Sequence, residues 1–108
     1  MRLRIEYQDH NDSFGDLLPR TGEVLAIPAC SDSTHRWHVL RLDEPLAYEA
    51  RLYDRFLIAS RWVGCETGEP RTVTVFILLV PSSHPPIMDG FSCKDFLHVA
   101  WGGAQVLP

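Results

Sequence analysis

The stretch Thr72-Val73-Thr74-Val75-Phe76-Ile77-Leu78-Leu79-Val80 decides the fold. Its first half alternates polar and apolar residues, the pattern of a strand with one wet face. Its second half is apolar at every position from Val75 to Val80, which calls for cover on both faces. The run is too short to cross a bilayer as a helix. A doubly covered strand in a 108-residue chain needs a second layer from somewhere. A helix over residues 44–54, the loop Pro81–Gly90 or a second subunit could each supply it.

Further strands are read on either side. Arg2 to Tyr7 alternates, with Leu3, Ile5 and Tyr7 pointing inward. Gln8 to Gly15 is a polar loop, and Glu23 to Ile27 a strand closed by Pro28. Arg36 to Leu42 sets Trp37, Val39 and Arg41 on one face and His38, Leu40 and Leu42 on the other, with Asp43-Glu44-Pro45 breaking it. Leu46 to Tyr53 fits a strand with Leu46, Tyr48, Ala50 and Leu52 inward, and also a helix capped by Asp43. The strand is preferred. Arg55 to Val63 is a strand with Phe56, Ile58 and Trp62 together, joined through a turn at Gly64–Pro70 to Arg71–Val80. Phe96 to Trp101 is the last strand, ended by Gly102-Gly103.

These strands predict a single, mainly β domain over residues 1–108, a small antiparallel barrel of six or seven strands. The alternative is an α+β domain with one helix near residues 44–54 packed on an antiparallel sheet. There is no internal repeat or low-complexity segment.

Charge and cysteine content narrow the function classes. The net charge is -4, and the basic residues form no stripe suited to a phosphate backbone, so nucleic acid is not an expected partner. No charged, then apolar, leader opens the sequence, and Cys30, Cys65 and Cys93 show no CxxC spacing. Both features predict a cytoplasmic protein with free thiols and no membrane association.

Motifs with chemistry mostly fail on inspection. Asp9 to Arg20 opens like a calcium loop, but Phe14 stands where glycine is needed and Arg20 where glutamate is needed. His35 and His38 are three apart, an odd offset that sends strand side chains to opposite faces unless His35 lies in the preceding loop. No metal and no cofactor are predicted. Glu6, Glu23 and Glu49 are expected on wet faces, where a carboxylate keeps ordinary acidity. No nucleophile motif accompanies the cysteines and histidines.

Aromatic and arginine residues form the more informative set. Trp37, Arg41, Tyr53, Arg61 and Trp62 belong to the residue types enriched at binding hot spots, although tryptophan is also ordinary core material in so small a domain. Ile87 and Met88 are apolar residues in the Pro-rich loop Pro81–Gly90, either partner-facing or plugging one end of the barrel. The sequence therefore predicts a small non-enzymatic binding module that engages a protein partner or small apolar ligand through these seven residues, with a homodimer as one arrangement. The alternative is a small enzyme in a half-open barrel with His38 or His98 as general base.

Overall fold

In a computed structural model of the protein, which describes residues 1–7, 17–60 and 72–107, six strands close into an antiparallel barrel in sequence order. They are β1 (Arg2–Tyr7), β2 (Arg20–Ala26), β3 (Arg36–Tyr48), β4 (Arg51–Ser60), β5 (Thr72–Pro81) and β6 (Leu97–Val106). β6 pairs back onto β1, with Ile5 opposite Ala104, so neither end of the sheet is left as an open edge. A short 3₁₀ turn at Cys93–Asp95 precedes β6. Among the described residues, no helix is long and apolar enough to cross a membrane.

Alternation along the strands sorts the side chains into two layers. Leu40 of β3, Phe56 of β4 and Leu79 of β5 are paired in register and fill the barrel with Leu3, Ile5, Ile58 and Ile77. One residue along, Val39, Leu57 and Leu78 are likewise in register, and they point outward. They are buried all the same, in a second cluster with Trp37, Ala59, Val80, Ile87 and Phe96. Phe76 to Val80 thus has apolar cover on both faces. The outer cover comes from the chain's own β5–β6 connection, through Ile87 and Phe96. Burying each of these two side chains is worth roughly 1.5–3 kcal/mol before ordering costs.

A buried arginine holds that connection down. Arg55 faces outward opposite Val80 and is 8% exposed. Its guanidinium donates to the carbonyls of Pro81, His84 and Pro85, and its Nε donates to Asp54 at 2.9 Å. Beyond the end of β5 at Pro81, Pro85 and Pro86 supply no backbone N–H, so that segment does not continue as a strand; the arginine fork collects the exposed carbonyls instead.

Four sequence expectations need correction. The region 44–54 is neither a helix nor one strand. β3 runs on through Asp43-Glu44-Pro45 to Tyr48, absorbing the irregularity as a register shift between Arg41 and Leu46. Glu49 and Ala50 then form a two-residue hairpin turn with φ of 50° and 63°, so Glu49 lies in a turn and not on a strand. That left-handed turn matches the twist of a tight hairpin but is normally built from Asn and Gly, so no turn signal marks it. β2 starts earlier than expected and ends at Ala26. β6 does not stop at Gly102-Gly103 but runs to Val106. A Cβ at Gly102 would lie 2.6 Å from Ile77 Cδ1 and 2.7 Å from the Glu6 carbonyl oxygen, so this glycine permits close strand approach.

Arg55→Met should lower unfolding stability by about 2–4 kcal/mol in urea titrations, because three carbonyls lose a charged donor. Arg55→Lys should recover less than half of the loss, since an ammonium cannot span the three oxygens. A stability unchanged by Arg55→Met would refute this role.

Candidate functional site

The edge of the outer layer is not fully closed. Between β3, β5 and the Cys93–Phe96 segment lies a cleft of about 420 Å³, within the size range of small-molecule sites. Its floor and walls are Trp37, Phe76, Leu78 and Phe96, and its rim carries Asp32, Ser33, His35, Cys93 and Lys94.

Strand parity explains the apolar wall. Trp37, Leu78 and Phe76 all occupy outward positions, opposite Ala59, Leu57 and Ala59 respectively across their ladders. An aromatic run continues from the wall onto the surface. His35 meets the Phe76 ring edge-on at 5.4 Å, and Phe76 lies against Trp101 with centroids 4.0 Å apart and the rings tilted by 41°. Trp101 is 42% exposed and extends this shelf into solvent. His35 also lies 6.4 Å from Trp37, ring to ring.

Trp37 carries the one polar irregularity in this wall. The residue is 5% exposed, and its indole Nε1 has no hydrogen-bond partner among the described residues. A buried donor left unsatisfied costs about 1–3 kcal/mol, so such groups are few in native domains.

The polar rim is held by Asp32. Its Oδ1 accepts from the Cys30 thiol at 3.0 Å and from the Cys93 backbone N–H at 3.0 Å, and its Oδ2 accepts from Ser92 Oγ at 2.5 Å. Around it, the segment after β2 is laced to the segment before the 3₁₀ turn. The Gly90 N–H donates to Ala29 O and the Ser31 N–H to Phe91 O, each at 2.8 Å. The Cys30 thiol hydrogen bond, then those from Ser92 and the Cys93 amide, holds the Asp32 carboxyl well below the usual carboxylate range. Burial, and after it the neighbouring Asp32 carboxylate, pushes the Cys93 thiol up to about 11. Cys93 is therefore a protonated thiol at neutral pH, not an activated nucleophile.

Of the seven residues singled out from sequence, the five that are described are dispersed. Trp37 lines the cleft. Ile87 lies in the outer layer, not in an end of the barrel, and Met88 beside it is 71% exposed. Tyr53 faces the barrel interior, while Arg41 is exposed and lies 3.6 Å from Glu23. Arg61 and Trp62 fall outside the described residues. His38 is buried on the interior-facing side of β3, sharing that face with Leu40. His35 sits in the preceding loop on the outer side, so the two histidines do not converge. The side chain of His98 is outside the described set.

Sequence reasoning missed Asp32, Phe76, Leu78 and Phe96 as site residues. Only Phe76 and Leu78 carried a signal, as outward positions in the doubly covered run. A second hollow, beside Pro19 and Arg20, is polar. Its Asp43 is already engaged by Arg2 and by Thr21 Oγ1, the latter at 2.7 Å.

Fold and cleft together define a small closed barrel with a covered outer face and an open-edged aromatic pocket. Comparison with known protein families, curated proteins and solved structures finds no match for the chain.

The lowered pKa of Asp32 fixes the sign of a pH effect. Its contribution to stability is present above the ordinary aspartate range and is lost as pH falls through and below that range. Thermal midpoints should therefore fall more steeply below about pH 4 in the wild type than in Asp32→Asn, which should be the less stable protein at neutral pH. Parallel profiles would show that the loop stitching does not depend on the carboxylate.

Proposed function

We propose that this domain is a non-enzymatic binding module for a small, largely apolar ligand, seated in the cleft between the outer face of β3–β5 and the β5–β6 connection. The reading is supported by the apolar cleft lined by Trp37, Phe76, Leu78 and Phe96, together with the buried Trp37 Nε1–H behind that wall, which has no partner among the described residues. A ligand that seated its ring along Phe76, Trp101 and Phe96 and supplied one acceptor would satisfy that donor once a small shift of the indole opened Nε1 to the cleft. Selectivity would follow from that single bond. An apolar wall tolerates many shapes, whereas an unsatisfied donor discriminates against molecules without an acceptor.

Binding, not catalysis, fits the chemistry at the rim. The raised Cys93 thiol is a poor nucleophile, and His38 lies on the opposite side of β3 from the cleft. The ligand reading is favoured over a protein partner because the apolar side chains line a shallow cleft with a polar rim of Asp32, Ser33, His35 and Lys94.

Two probes of matched shape test the reading: acetophenone, whose carbonyl can accept, and ethylbenzene, which cannot. Acetophenone should bind about fivefold to tenfold more tightly and shift the Trp37 indole N–H resonance, and Trp37→Phe should abolish the difference between the probes. Equal affinities for wild type, or chemical-shift changes confined to residues away from Trp37, Phe76 and Phe96, would overturn it.

A further inference from the structure

Cys30, Asp32 and Cys93 bring two thiols and a carboxylate together, with all donor atoms within 4.8 Å of one another. The residues come from two connections, Cys30 and Asp32 from the one between β2 and β3, and Cys93 from the one between β5 and β6. We propose that this cluster is a binding site for a soft divalent cation of the zinc type, held by the two sulfurs and one Asp32 oxygen. The proposal stands apart from the ligand reading of the cleft.

The donor set and its spacing both favour such an ion. Sulfur donors select zinc-like ions over magnesium or calcium, and an added carboxylate is a common third ligand. At zinc–sulfur bonds of about 2.3 Å, two sulfurs on a tetrahedral ion lie about 3.8 Å apart, so the donors need to close by roughly 1 Å or less. The cleft rim supplies the outer support that metal sites use. Ser92 Oγ donates to Asp32 Oδ2 and the Cys93 amide to Oδ1, bonds that orient the carboxylate and can persist when the ion binds.

The exchange balances simply. The Cys30 S–H that now donates to Asp32 at 3.0 Å, and the Cys93 S–H, each give up a proton to solvent as a metal–sulfur bond forms. One cation enters and two protons leave. With three protein donors, the fourth position of the ion is open to water. The ion would staple the connection that covers the outer layer to the loop beneath it, joining positions that are 63 residues apart in the chain (Cys30 to Cys93).

The full chain carrying Cys65→Ala, reduced with a phosphine and stripped by chelator, is titrated with Co²⁺ as a spectroscopic probe and with Zn²⁺ in competition. The expected result is one equivalent of tetrahedral cobalt with a sulfur-to-metal charge-transfer band, displaced by Zn²⁺, and a thermal midpoint that rises with Zn²⁺ concentration. Cys30→Ser and Cys93→Ser should each roughly halve the charge-transfer intensity. Asp32→Asn should weaken affinity at least tenfold while keeping that intensity. Metal-free midpoints of all three variants establish that they fold. No charge-transfer band at millimolar Co²⁺, or wild-type binding by Cys30→Ser or Cys93→Ser, overturns the proposal. So does a Cys30–Cys93 disulfide formed with oxidised glutathione in a chain that binds no Co²⁺.

Discussion

The outer face of β3, β4 and β5 must be kept from water, and the rest of the architecture follows from how that is done. A six-stranded barrel fills its interior with one set of alternating side chains and normally presents the other set to solvent. Here Val39, Leu57, Leu78 and Val80 make the outward set apolar as well. The chain meets that demand with its own β5–β6 connection, seating Ile87 and Phe96 on the outside of the sheet. A Pro-rich segment has few N–H groups of its own to place, which suits it to lying across a sheet instead of joining it. Its carbonyls still need donors. Arg55, on the outward face of β4, supplies them from underneath.

The candidate sites are consequences of that cover. A loop closes over a sheet less completely than a helix would, and the uncovered margin between Trp37, Phe76 and Phe96 is the cleft. Fixing the loop at its far end requires polar stitching, and Asp32 does this with three accepted hydrogen bonds. The same stitching draws Cys30 and Cys93 together. Stability, pocket and thiol cluster therefore share one structural element, and a change at Arg55 or Asp32 would be felt in all three.

Much of the fold was legible in the sequence because its signals are local. Period-two alternation located β1 and most of β3, and the uninterrupted run after Thr74 identified a strand buried on both faces. The loop Pro81–Gly90 was among the three possible covers, but sequence alone could not choose between it, a helix and a second subunit. The choice depends on contacts that span the chain, such as Arg55 with the carbonyl of Pro85. The Glu49-Ala50 turn was invisible because neither residue type is expected at positive φ. Gly102 misled for the opposite reason: a residue that commonly ends strands is here required by the closeness of Ile77 and the Glu6 carbonyl.

The candidate site was less legible than the fold. Trp37 was singled out for its residue type, and its position in the cleft follows from strand parity. Asp32 and the cysteine pair could not be found by spacing, since their proximity depends on two loops lying side by side. Tyr53 and Ile87 illustrate the converse limit. Aromatic and apolar residues at loops and strand ends are equally suited to a surface hot spot and to a core, and only packing distinguishes the two.

Native-state hydrogen exchange at the amides of Ser31 and Gly90 tests the central claim most directly, that the β5–β6 connection is an integral layer of the domain. Both amides lie in loops, yet each donates a 2.8 Å hydrogen bond across the stitched seam. If the cover folds with the barrel, their protection will approach that of the amides of Leu57 and Leu78 in the core strands. Exchange at the rate of an open loop, with the core strands still protected, would contradict the account.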